Sequence, residues 1–155
     1  MLVAPDGTVD KCTVILSSRH ADLDAATCRI VQRRARFSPS KDASGKPAYG
    51  IYDNAITWSL GNVADGALGP QLELKINQAP PGVKLPLVIK LSYRTKIDGT
   101  AADCKLDDAS AGAPQVLADL GCQSILAQPP EIIRNSKGQP VEVSNGMTVG
   151  FSRDR

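Results

Sequence analysis

The sequence is poor in aromatic residues, in histidine and in excess charge. Its 155 residues include one Trp, three Tyr, two Phe and one His, and the formal net charge is +2. The small number of aromatic rings argues against a surface on which nucleic-acid bases stack. Nucleic acid is therefore not an expected partner. A near-neutral charge points to no acidic partner. What remains is an ordinary globular composition, 42% hydrophobic and 22% charged.

Targeting segments are also missing. No apolar run approaches the roughly 20 residues of a membrane span. The first residues, MLVAPDGTVDK, lack the basic and apolar regions of a signal peptide. We therefore expect either a protein that stays inside the cell or a chain cut from a longer one. Membrane anchoring is expected only if a helix precedes Met1.

The cysteines indicate the redox compartment. They are Cys12, Cys28, Cys104 and Cys122, and none forms a C-x-x-C pair. That absence weakens zinc and thioredoxin-type interpretations. An even number at wide, matching spacings suits disulfides in an oxidising compartment. The alternative is four buried free thiols in a cytosolic protein.

Landmarks in the sequence recur in the same order. PDGTVDKC (Pro5–Cys12) resembles IDGTAADC (Ile97–Cys104), and the next cysteine follows 16 residues later in the first case and 18 in the second. SGKP (Ser44–Pro47) and SKGQP (Ser136–Pro140) then follow at similar spacing. This order predicts two diverged copies of one unit.

Each copy begins with a predicted hairpin. Apolar and polar residues alternate from Leu87 to Ile97, which predicts a half-buried strand. Asp98-Gly99 turns the chain into a second strand, 100–106. Asp6-Gly7 predicts the same turn in the first copy, with 8–16 as the second strand. Only residues 1–4 remain of the leading strand, so the first copy looks truncated at its front.

A helix is predicted after each hairpin. In the first copy Asp22 is the expected cap and the arginines near the helix end suit its dipole. In the second copy the helix is expected to begin near Pro114, with Gly121 weakening it. The residues expected to face inward are Leu23, Ala26, Ile30 and Phe37 in the first helix, and Leu117, Leu120 and Ile125 in the second.

A closing strand is predicted at the end of each copy. The apolar face is Tyr52, Ile56, Trp58 and Leu60 in the first copy, and Val141, Val143, Met147, Val149 and Phe151 in the second. We expect Trp58 and Phe151 to be core residues. Between the copies, QLELKIN alternates and predicts a further strand.

The predicted fold class is α+β, with two tandem β-β-α-β units. Each unit is a three-stranded antiparallel sheet with one helix packed on it. The expected boundaries are 1–62 for the first unit, 63–84 for a connection and 85–155 for the second unit. Bridges Cys12–Cys28 and Cys104–Cys122 would then each fasten a helix to its sheet, at about 3 kcal/mol per bridge in the chain-entropy model.

This pattern resembles the C-terminal domain of TonB-family energy transducers, in its cysteine-containing form. The resemblance rests on the hairpin before Cys12, on SS…LDAATC…RARFSP and on the closing strand, and it covers residues 3–60. A weaker copy covers residues 87–151, where LADLGC stands in place of LDAATC. The resemblance implies a periplasmic location and a non-enzymatic role.

The resemblance also implies how a partner binds. A closing strand would pair edge to edge with an extended segment of an outer-membrane receptor, or of another envelope protein, and would couple it to energy-dependent transport. The expected partner-binding residues are Tyr49, Ile51, Asn54, Thr57, Ser59, Glu142, Ser144, Thr148 and Ser152. The alternative is a structural envelope protein whose sheet edges pair with each other. A homodimer is left open.

The sequence does not favour a catalytic, metal-binding or phosphate-binding site. Asp6 and Asp98 suit hairpin turns better than a paired-aspartate protease. His20 with its neighbouring serines and aspartates suits a loop and helix cap better than a triad. We expect no catalytic residues, no metal site and no cofactor. The arginines 29, 33, 34 and 36 suit a solvated helix end better than phosphate binding, and the aspartates 103, 107 and 108 suit a solvated strand end better than calcium binding.

Overall fold

The computed structural model describes residues 1–58 and 69–154 of a mixed α+β protein. Contacts divide the chain into two compact units. The first comprises Met1–Leu68 with Arg134–Ser144, and the second comprises Gly69–Ile133 with Asn145–Arg155.

The first unit is built on a small antiparallel sheet. Strand β4 pairs antiparallel with β1 and with β3, and β1 pairs antiparallel with β2. Strand β4 also pairs in parallel with Val143 and Ser144, the first two residues of β8. The elements are β1 (Leu2–Val3), β2 (Val9–Lys11), α1 (Ala21–Arg34), β3 (Ser40–Lys41), β4 (Pro47–Ile51) and β8 (Val143–Arg153).

The Asp-Gly turn of the first unit forms as the sequence predicts. The amide of Ala4 donates to the carbonyl of Thr8, and Gly7 adopts φ +81°. A Cβ at Gly7 would lie 2.3 Å from the carbonyl oxygen of Phe37. Glycine is therefore required twice, for the left-handed backbone and for the close approach.

The helix of the first unit differs from its prediction at both ends. It starts at Ala21 with His20 as N-cap, so Asp22 lies in the first turn instead of capping it. It ends at Arg34, so Phe37 is not a helical residue. Phe37 donates its amide to the carbonyl of Gly7 and packs its ring on Tyr52. Phe37 therefore pairs with the backbone of the Asp-Gly turn, although its spacing in the sequence suits the helix.

The first unit has a thin core. Among its described residues, Leu2, Val3, Val9 and Val143 are the buried apolar side chains, and α1 buries none of its residues. Ile30, expected to face inward, is 47% exposed. The bridge between Cys12 and Cys28 fastens α1 beside β2. The disulfide therefore holds α1 in place, because α1 has no buried residues that would pack it onto the sheet.

The second unit has a larger sheet. Its order is β5-β8-β6-β7, with β6 and β7 antiparallel and β5 and β8 parallel. The predicted strand QLELKIN is confirmed as β5. The elements are β5 (Leu72–Ile76), β6 (Leu87–Thr95), β7 (Ala101–Leu106), a 3-10 turn (Asp108–Ser110), α2 (Gln115–Leu126) and the part of β8 from residue 145 on.

One layer of apolar residues forms the core of the second unit. Helix α2 packs on β6 and β8, and the bridge Cys104–Cys122 joins it to β7. Leu117, Ile125 and Phe151 are buried as predicted, whereas Leu120 is 36% exposed because it lies beside the buried face. The core residues are Ile89, Leu91, Leu117, Ala118, Ile125, Val149 and Phe151.

The same local contacts recur in the two units. Gly99 has φ +86°, and its carbonyl accepts the amide of Glu131, nine residues past the helix cysteine. Gly7 and Phe37 make the matching contact, also nine residues past the helix cysteine. The strands before these two turns differ in length, since β6 has nine residues and β1 has two.

The first closing strand is shorter than the sequence predicts. Strand β4 ends at Ile51, and residues 52–58 form no strand. Trp58 is 43% exposed, so its assignment to the core is wrong. Beyond Ile51, Met1 and Tyr52 still exchange two backbone hydrogen bonds. Leu60 lies outside the described residues.

We expect the two disulfides to have unequal local effects. Replacing either pair by serine costs about 3 kcal/mol in the chain-entropy model. Because α1 buries no residue, C12S/C28S will lose hydrogen-exchange protection throughout α1. Because α2 buries four, C104S/C122S will keep α2 protected under native conditions. Equal protection of both helices in the two double mutants would contradict this difference.

We expect Gly121→Ala to destabilise the second unit. A Cβ there would lie 2.6 Å from the Leu91 side chain, which is fully buried and has little room to move. Overpacking of about 1–3 kcal/mol outweighs the roughly 1 kcal/mol gained in helix propensity. Chemical denaturation measures the difference. Gly112→Ala is the control, because a Cβ there has no neighbour within 4 Å.

Candidate functional site

The strand positions expected to bind a partner in the first unit already have neighbours within the chain. Tyr49 pairs with Val143, and Ile51 pairs with Leu2. The hydroxyl of Ser144 donates to the carbonyl of Lys41 at 3.2 Å. Glu142 is half-buried and lies just before β8, where it lines a hollow together with Tyr49.

The strand positions in the second unit are occupied in the same way. The amide of Thr148 donates to the side chain of Gln71 at 2.9 Å, and its carbonyl accepts the amide of Gln71. Ser152 pairs with Lys75 of β5. Strand β5 therefore covers one side of the β8 segment that contains Ser152.

The remaining expected residues lie beyond the end of β4. Asn54 and Thr57 are exposed and belong to no strand, and Ser59 lies outside the described residues. Asn54 and Thr57 instead line a cavity in the first unit, where α1 faces two stretches of chain, 12–18 and 52–58. The strand predicted at Asn54 and Thr57 is therefore not formed.

This cavity is open, apolar and about 310 Å³ in volume. That volume lies at the small end of ligand pockets. Its apolar lining is exposed to an unusual degree, with Ile15 at 72% and Leu16 at 78%. Trp58 closes one side, where its indole N–H donates to the hydroxyl of Thr27 at 2.9 Å. We call it the α1 cavity.

The only histidine lies near the α1 cavity but forms no catalytic triad. The hydroxyls of Ser17 and Ser18 donate directly to the carboxylate of Asp24, each at 2.6 Å. These hydrogen bonds lower the pKa of Asp24 below its ordinary value. A serine that donates to a carboxylate lacks the histidine base a nucleophile needs. The cluster fixes the loop before α1.

Four other aspartates also have structural partners. Asp6 and Asp98 each accept the amide and hydroxyl of a threonine two residues on, and these hydrogen bonds lower both pKa values. Asp103 accepts from Arg94, and Asp107 accepts the amide of Ala109 in the 3-10 turn. Across residues 1–58 and 69–154, no group of three or more His, Cys, Asp or Glu is placed to hold a metal ion.

The first part of the chain matches a known family model. Residues 1–60 match the family described as Gram-negative bacterial TonB protein C-terminal. The match does not extend to residues 61–155. No curated protein and no solved structure matches this chain. Within the described residues, no helix has both the length and the apolar character needed to cross a membrane.

Sequence reasoning missed the α1 cavity. The available signal was the apolar run at 14–16, which the sequence predicts as part of a strand. In the structure β2 ends at Lys11, and Val14, Ile15 and Leu16 are exposed. Alternation predicts which residues suit a strand but does not say whether a partner strand is there.

We expect the loop before α1 to loosen in acid. The folded pKa of Asp24 lies below the value of 3.8 ordinary for this group, so the carboxylate stabilises the loop above that pH and loses this effect as the pH falls through the lower folded pKa. Amide chemical shifts of Ser17 and Ser18, followed from pH 6 to pH 2, measure the change. In Asp24→Asn the same shifts will stay constant over this range. A wild-type loop that is equally insensitive would contradict the assignment.

Proposed function

We propose that this protein is a non-enzymatic binding module of the cell envelope that resembles the TonB C-terminal domain in both of its copies. It captures an extended peptide of an outer-membrane receptor by strand addition and couples it to energy-dependent transport. The match of residues 1–60 to the TonB C-terminal family carries the proposal. Domains of that family are non-enzymatic and interact with outer-membrane receptors.

Two observations support a periplasmic location. Domains of the matched family are periplasmic. Both cysteine pairs form disulfides, and the described residues contain no free cysteine. Such bonds persist in oxidising compartments such as the periplasm.

The pairing of β5 with β8 supports strand addition as the binding mode. Five consecutive residue pairs join them in parallel, from Leu72 with Val149 to Ile76 with Arg153. A short extended segment therefore already adds to this edge within the chain. We propose that a receptor peptide uses the same backbone groups of β8 and displaces β5 in doing so.

A structural role is the second candidate. Every described strand position expected to bind a partner pairs within the chain or hydrogen-bonds to a neighbouring segment. Paired edges protect a sheet from further strand addition. On this account the protein is a scaffold of the envelope, and β5 is a permanent strand.

The two roles are separated by a titration followed by NMR. Isotope-labelled protein receives a peptide copied from the N-terminal plug segment of an outer-membrane receptor. Strand addition predicts saturable shifts confined to residues 49–51 or 143–153. The scaffold predicts no shifts at millimolar peptide and slow exchange of the same amides.

Variants of β5 sharpen this comparison. Leu74 is half-buried against the core, so Leu74→Asp will weaken the pairing of β5 and strengthen peptide binding about tenfold or more if β5 competes for the edge. Lys75→Asp is the control, because this side chain is exposed on the same strand. Equal affinity in the two variants would contradict competition by β5.

A further inference from the structure

The alternating pattern around β8 contains a single polar residue on its apolar face. Every second residue from 141 to 151 reads Val, Val, Asn, Met, Val and Phe. The last three of these residues pack in the core of the second unit, beside the neighbouring strand β6. Asn145 lies on the same face of β8, because alternate residues of a strand point the same way.

Asn145 is buried and bonded to β6. Its exposed fraction is 8%, and its side-chain amide donates to the hydroxyl of Thr95 at 2.6 Å. Thr95 is 6% exposed and lies two residues past Tyr93, which packs against the core from the same face of β6. The hydrogen bond therefore joins β8 to β6 at one point through two buried side chains.

Stability alone does not account for this pair. The other polar atom of the amide, Oδ1 of Asn145, is buried, and no described residue gives it a hydrogen bond. An unpaired buried carbonyl destabilises the folded state, and two apolar side chains would fill the same space without that penalty. A buried polar pair that does not maximise stability can still select one alignment of two elements.

The alternation of β8 allows two other alignments on β6. A shift by one residue would turn the apolar residues away from the core, so only shifts by two keep the pattern. One such shift brings Arg153 to the fully buried site of Phe151, and the charge excludes it. The opposite shift brings Val149 to the site of Phe151 and Met147 to the site of Val149, so the core stays apolar.

Asn145 opposes this second shift. The shift would carry Asn145 about 7 Å along β6, away from Thr95 and into the half-buried place of Met147. Its amide would lose the hydrogen bond to Thr95, and the buried hydroxyl of Thr95 would face Val143. The shifted alignment therefore leaves two polar groups without their partner, whereas valine at both positions would remove that difference.

We propose that the hydrogen bond between Asn145 and Thr95 is a register lock that holds β8 in one alignment on β6. Asn145 acts as a positioning residue. It fixes which residues of β8 lie along β5, and hence which residues any strand in the place of β5 meets. The lock acts within the second unit and does not depend on the proposed function.

The test uses variants of the full chain followed by NMR saturation transfer, which detects minor states. Asn145→Val/Thr95→Val will show a second set of β8 amide signals, at about 1% of the protein or more. Chemical shifts of this state will match a shift by two, with residue 143 in place of residue 145 opposite Thr95. The wild type will show one set and a nuclear Overhauser contact between residues 95 and 145.

Single variants separate the lock from general stability. Thr95→Val leaves the amide of Asn145 unpaired, so it will lower the folding equilibrium constant about tenfold or more and will also show the second set. Thr95→Ser keeps the hydroxyl and will show one set. The double variant will be at least as stable as Thr95→Val, since it removes both polar groups. Ser152→Val is the control, because Ser152 lies on the opposite face of β8 and pairs with β5.

Three results would overturn the proposal. The first is a single set of β8 signals in both the double variant and Thr95→Val. The second is a second set of equal size in Ser152→Val or in Thr95→Ser. The third is a second register in the wild type itself. If the double variant does not fold, the comparison of Thr95→Val with Thr95→Ser decides the same question.

Discussion

The core of the second unit depends on the packing of helix α2 onto strand β6. In the second unit β6 places Ile89 and Leu91 under α2, and Gly121 lets the helix come close enough to cover Leu91. In the first unit β1 has two residues and α1 buries none of its own. The two helices therefore differ in how many residues they bury, although each unit has an Asp-Gly turn, a helix and a disulfide.

The two disulfides hold helices that are packed to different extents. Cys104–Cys122 reinforces a helix that already has an apolar face, so cross-link and packing act together. Cys12–Cys28 holds a helix that lacks such a face among the described residues. A cross-link limits how far a helix can move but does not bury apolar surface. That is why α1 can be fastened in place while Ile15, Leu16 and Ile30 beside or on it stay exposed.

The match to the TonB C-terminal family and the pairing of the strand edges have to be considered together. The family match concerns the first sixty residues and favours a binding role. The pairing of β8 with β5 places a strand of the same chain where the proposed function places a receptor peptide. Under that proposal the peptide has to replace β5, so its affinity depends on the difference between two similar ladders.

The sequence by itself determined the local elements, because turns, alternation and helical spacing act within a few residues. It predicted both Asp-Gly hairpins, both cysteine pairs, a second helix that begins near Pro114, strand β5 and the burial of Phe151. Only the tertiary structure decided where the first closing strand ends, that Trp58 is exposed and that the edges of β4 and β8 are occupied. Each of these depends on whether a partner strand is present, and a strand's own residues do not carry that information. The α1 cavity was also decided by the tertiary structure, since alternating residues line it without forming a strand.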